Sequence, residues 1–136
     1  MRKAQIMMEF VIALVIVIFV CGVAFYILAQ KNAEVDYLKT KESAFVICNS
    51  IASSIDETWT MNKGTSILLV LPNQINFVDY TAQITSQKSV IISFSSNALI
   101  CPFIADVTNG TSSNFTLSKG NSNFYNDGYK VVISSV

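Results

Sequence analysis

Residues 10–29 form an apolar run in which nineteen of twenty positions are Ala, Val, Ile, Leu, Phe, Tyr or Cys, with Gly22 the one exception. As an α-helix this run spans about 30 Å, the thickness of the hydrocarbon core of a bilayer. Between Ala29 and Asn62 there is neither Pro nor Gly, and Lys, Glu, Ala and Ile are frequent, so the helix is predicted to continue. Here Tyr37, Ala44, Phe45, Cys48, Ile51, Ala52, Ile55 and Trp59 recur at spacings of three, four and seven. They lay one apolar stripe along the helix, between positions held mainly by Lys39, Lys41, Glu42, Ser50, Ser53, Ser54 and Asp56. The stripe is the expected packing face for the C-terminal half, and Asn62-Lys63-Gly64 supplies the stop.

Beyond Gly64 the period changes. Short β-branched and aromatic runs alternate with Asn, Ser, Gly and Pro, the pattern of a strand region. Strands are predicted over 66–71, 78–85, 89–95, 99–107 and 114–117, and at Phe124 with a partner over 129–133. Asn126-Asp127-Gly128 tolerates positive φ and suits the hairpin turn that joins the last two. Pro72 and Pro102 confine their neighbours to strand ends, edges or bulges. A sheet of about four to six short strands is not stable with one face bare, and the striped helix supplies its cover. The predicted class is α+β, a long N-terminal helix packed on a C-terminal antiparallel β-sheet.

Composition narrows the chemistry. Outside the apolar run the apolar share is that of an ordinary soluble domain, so one segment alone accounts for the chain's hydropathy. Nine basic and nine acidic residues cancel, leaving no overall field to attract nucleic acid. Histidine is absent, which removes the commonest general base and the commonest nitrogen ligand for zinc or copper. Three cysteines cannot build a four-thiolate site in one chain. No Gly-rich phosphate loop, spaced carboxylate pair or nucleophile-elbow Ser occurs, and Asp56, Glu57 and Asp79 read as solvated surface charges. Neither a catalytic residue, a cofactor nor a metal is expected, and the chain does not read as an enzyme.

The flanks of the run decide its use. Arg2 and Lys3 precede it, which keeps the N-terminus cytoplasmic and sends residues from 30 onward outside. A conventional signal peptide cut near Gly22 and Ala24 would leave Phe25, Tyr26, Ile27 and Leu28 at the start of a soluble chain, where they gain nothing. Lipoprotein processing at Cys21 is disfavoured by Phe19 and Val20 before it. A retained anchor fits better, and Glu9 at its edge refines that reading, because an acid near the bilayer core costs roughly 2.5–3.5 kcal/mol and needs a partner. The alternative is a solvated acid at a helix start.

The string Lys3-Ala4-Gln5-Ile6-Met7-Met8-Glu9-Phe10 resembles the class III signal peptide of archaeal type IV pilins, in which a short basic leader ends before Gln, with Glu four residues on and then an apolar helix. Gly is frequent in that family where Ala4 stands, and a small hydroxyl residue where Met7 stands. The resemblance implies cleavage between Ala4 and Gln5 by a membrane prepilin peptidase, and assembly through Gln5, Glu9 and Phe10. It divides the chain into a leader (1–4), a transmembrane and assembly helix (5–29), a stalk helix (30–62) and an extracellular β region (63–136). The implied product is a homo-oligomeric helical filament at the cell surface, built by the pilus machinery from a membrane-inserted precursor. The alternatives are a monomeric membrane-anchored binding domain and a minor pilin or pseudopilin.

Two features of the outer half add to this. Cys48 on the stripe and Cys101 in an apolar strand face the same predicted core outside the membrane, where a disulfide is favoured over two buried free thiols. Asn109-Gly110-Thr111 and Asn114-Phe115-Thr116 are N-glycosylation acceptor triplets in one polar loop. Chance alone would supply about two such triplets in a chain of this composition, so only their placement speaks for use.

Processing is directly measurable. Mass spectrometry of the mature chain should find it beginning at Gln5, four residues shorter than the precursor; a soluble form beginning near Phe25 would establish the conventional signal peptide instead.

Overall fold

The computed structural model describes residues 2–135, with side chains from 8 to 135. It has the α+β layout expected: one helix, α1 (Arg2–Thr60), followed by strands only. These are β1 (Ser66–Leu71), β2 (Tyr80–Thr85), β3 (Ser89–Phe94), β4 (Asn97–Pro102), β5 (Val107–Thr108), β6 (Phe115–Leu117), β7 (Gly120–Asn126) and β8 (Val131–Ser135). The chain divides into two compact units, Met1–Leu38 and Lys39–Val136. The first is helical throughout its described residues, and every described side chain in it is exposed.

The second unit contains the last turns of α1 and all the strands. Its strands form two four-stranded sheets, ordered β1-β7-β8-β5 and β4-β3-β2-β6. Every pairing is antiparallel except that of β5 with β8, where Val107 and Thr108 run parallel to Val131 and Val132. The expected single sheet is thus two, and the predicted strand 99–107 is split where Pro102 interrupts the ladder. Inward positions alternate as a pleated strand requires: Tyr80, Ala82 and Ile84 on β2, Val90, Ile92 and Phe94 on β3, Phe124 on β7, Val131 and Ile133 on β8. Both sheets contribute to one core with Ala44, Cys48, Ile51, Ala52 and Ile55 of α1.

The helix stripe is narrower in aromatics and richer in small polar residues than its spacing suggested. Tyr37, Phe45 and Trp59 flank the covered face and stay exposed, whereas Thr40, Ser54 and Thr58 lie within it. Thr58 is tolerated there because its hydroxyl donates to the Ser54 carbonyl at 2.7 Å. Asp56 is not the solvated charge expected. Its Oδ1 accepts the N–H groups of Ile104 (2.8 Å) and Ala105 (3.2 Å), tying the helix to the segment that follows β4.

The end of the helix is held by a residue from the other end of the sequence. Asn126, 3% exposed, directs its Nδ2 at the carbonyls of Thr58 (3.0 Å), Trp59 (3.2 Å) and Met61 (2.9 Å). Those are among the acceptors that a helix C-terminus leaves unpaired. The Asn126 backbone accepts from Gly64 N–H and donates to the Thr65 carbonyl, and its Oδ1 accepts from Gly128 N–H at 2.7 Å. Gly64 (φ 91°) and Gly128 (φ 97°) take the left-handed backbone that these turns need. The loop of the β7–β8 hairpin closes on Asp127, whose Oδ1 accepts the N–H groups of Tyr129 and Lys130, both at 2.8 Å. Those two donors hold its carboxyl below the usual carboxylate range.

Removing the Asn126 amide strands several carbonyls at once. Asn126→Ala should lower stability by about 2–3 kcal/mol, and Asn126→Asp, which keeps the size but turns a donor into an acceptor, by at least as much at neutral pH. Urea unfolding followed by fluorescence of Trp59, the one tryptophan, measures both; wild-type midpoints would contradict the cap.

Candidate functional site

The first unit has the chemistry of a helix made to be covered. Among its described residues Phe10, Ile12, Val15, Ile16, Phe19, Val23, Phe25 and Leu28 are all exposed. The helix contains a window long and apolar enough to cross a membrane, none of it buried. The run closes on a polar collar in which Gln30 Nε2 donates to the Tyr26 hydroxyl at 2.8 Å, and Lys31 pairs with Glu34 at 2.8 Å one turn further on. Tyr at such a boundary keeps its ring apolar and its hydroxyl wet.

Glu9 stands on the exposed helix immediately before Phe10, the first residue of the run. The side chains of Ala4 and Gln5 lie outside the described residues. A Cβ at Gly22 would meet nothing within 4 Å among the described residues beyond its own stretch of helix.

In the second unit, Cys48 and Cys101 form a disulfide joining α1 to β4, with Cα atoms 5.9 Å apart and a sequence separation of 53. Both are buried, while Cys21 is free and exposed. The two acceptor triplets lie on the surface. Asn109 Oδ1 accepts from Thr111 N–H (3.1 Å), Thr111 Oγ1–H (3.0 Å) and Ser112 N–H (2.8 Å). Asn114, at the approach to β6, accepts from the N–H of Ser86 through its Oδ1. Their amides are therefore held by their oxygens, in a tight local turn for Asn109 and against the β2–β3 turn for Asn114.

Concave features are shallow. One groove of about 490 Å³ is lined by Thr85, Gln87, Asn114 and Thr116, and another of about 440 Å³ by Glu42, Val46, Ile47, Pro72 and Ile75. Neither gathers an acid and a base around a common point. Asp79 bonds Gln74 and Lys119, each at 3.3 Å, and these partners, Gln74 first, hold its carboxyl below the usual range. Among the described residues no three Cys, Asp or Glu side chains are placed to share a metal ion.

The disulfide expected from the sequence is present, whereas Asn126 and Asp56, which tie the end of α1 to the strand region, carried no such mark in the sequence. A buried Asn within Asn-Asp-Gly reads as turn chemistry, and an acid beside Glu57 as surface; no local pattern marks their distant partners. No protein-family model, curated protein or solved structure matches the chain.

Thiol titration of the unfolded, unreduced protein should find one free thiol per chain, Cys21; three would contradict the bond. Opening a loop of this length by Cys48→Ser should cost about 4 kcal/mol in the chain-entropy picture, read as a shift of the urea midpoint.

Proposed function

We propose that the chain is the structural subunit of an archaeal type IV pilus-like surface filament, which self-assembles through its N-terminal helix after loss of the leader 1–4. The observation that carries this reading is the uncovered apolar helix with Glu9 at its edge, behind a short basic leader that ends Ala4-Gln5. A precursor of this kind sits in the membrane with its N-terminus cytoplasmic, is cut by a prepilin peptidase, and passes to the pilus assembly machinery. The role is structural and not enzymatic.

The chemistry follows from what the apolar helix does when it leaves lipid. Packed against copies of itself it stays dry, but apolar contact is non-directional and does not set the axial stagger between neighbours. Cleavage before Gln5 creates an α-amino group, cationic below a pKa of about 7.7–8.0, one helical turn from Glu9. Opposite charges about 4 Å apart attract by on the order of 4 kcal/mol at an effective dielectric of 20, less their desolvation. Pairing Glu9 with the amine of an adjoining copy fixes the register and offsets the burial of both charges. A tether that served only to hold a binding domain at the surface would need neither group.

Glu9→Ala should therefore leave synthesis, membrane insertion and cleavage after Ala4 intact while abolishing or strongly reducing filaments, scored by electron microscopy and by the yield of sheared material. Normal filament yield from the variant would refute the role of Glu9.

A further inference from the structure

Strand β1 is the end strand of its sheet: it pairs with β7 on one side and, among the described residues, with no strand on the other. Soluble proteins blunt such edges with charges, prolines, bulges or short strands, because a free row of N–H and C=O groups templates further pairing. The other edges carry such devices. Strand β5 has two residues and β6 three, and β4 ends in Pro102, which has no N–H to offer. Strand β1 has none: its sequence Ser-Ile-Leu-Leu-Val-Leu lacks charge, Pro and Gly, and its register with β7 runs one to one from Ser66 to Leu71 without a bulge.

Both faces of this edge are also unfinished. On the outer face Leu68 is 59% and Val70 65% exposed. Their neighbours across the pair, Asn123 and Asn121, are polar and give them no apolar cover. On the inner face Ile67 and Leu69 are only partly covered, whereas Phe124, one strand further in, is fully buried. An added strand would cover the outer and inner side chains together and satisfy the free backbone groups.

We propose that this strand is the β1 of a second copy, paired antiparallel about a two-fold axis so that two four-stranded sheets become one of eight. The register argues for a copy. A two-fold axis normal to the sheet keeps each residue on its own face, so opposed positions differ by an even number. With the axis at Leu69, Leu69 meets its equivalent, Leu68 meets Val70, and Ile67 meets Leu71. Apolar side chains then oppose one another at all five positions on both faces, and no charge is buried. The segment is self-complementary, as a contact that uses the same patch twice requires. This contact does not rest on the filament reading; where filaments form, a two-fold contact of this kind joins neighbouring filaments side by side.

The test uses the full chain in detergent with Cys21→Ala, so that no thiol remains on the apolar helix. Leu68→Cys and Val70→Cys versions, both outward-facing and each checked by mass for the intact Cys48–Cys101 bond, are oxidised mildly alone and as a mixture. The expected result is a disulfide-linked dimer that is enriched in the mixture over either version alone and persists when Glu9→Ala is added. No dimer from the mixture, equal yields from the single versions, or preferential linking of Val70→Cys to an Ile100→Cys chain, which would report pairing with the β4 edge, each overturns the proposal.

Discussion

Nineteen apolar side chains within twenty consecutive positions of one helix, all of them exposed, set the terms for the rest of the protein. Each large aliphatic or aromatic side chain left in water forgoes about 1.5–3 kcal/mol, so a chain free in solution would be dominated by this one segment. A bilayer accepts it without further contacts, since lipid tails are as apolar as leucine. That very indifference means the hydrophobic effect does not by itself draw such helices together inside lipid. Under the reading proposed above, Glu9, the acid immediately before the run, supplies a directional contact that apolar packing lacks.

The second unit answers a different requirement. Its two sheets would each expose an apolar face, and the last turns of α1 contribute to the one core that both share. Apolar burial is not left to hold that arrangement alone. The Cys48–Cys101 bond joins α1 to β4, Asp56 takes two backbone N–H groups from the segment after β4, and Asn126 on β7 closes the end of the helix. These three attachments lie at successive points along α1 and reach both sheets. They tie the helix end to strands of both sheets.

Much of this was legible in the sequence because it rests on period. The apolar run, the continuation of the helix to Thr60, β1, β2, β3 and the Asn-Asp-Gly hairpin all follow from spacing and turn chemistry. Strand β7 did not, since its first four residues, Gly120-Asn121-Ser122-Asn123, have the composition of a loop and are held extended by pairing with β1. The split into two sheets was equally hidden, because β5 is only two residues long and pairs with a strand more than twenty residues away. At the candidate site the short motif around Gln5 and Glu9 stood out by its position before the run, and the cysteine pair by its predicted shared core. Asn126 and Asp56 act through partners 48 to 68 positions away, beyond the reach of any local pattern.

The central claim is that copies of this chain cover one another's apolar helices in a surface filament. Filaments sheared from cells, imaged by electron microscopy and analysed by mass spectrometry, test it most directly. The account predicts that this chain is their subunit and that density for residues 10–29 lies in a dry helical centre. Recovery of the chain only as an uncleaved or monomeric membrane protein, with filaments built from something else, would contradict it.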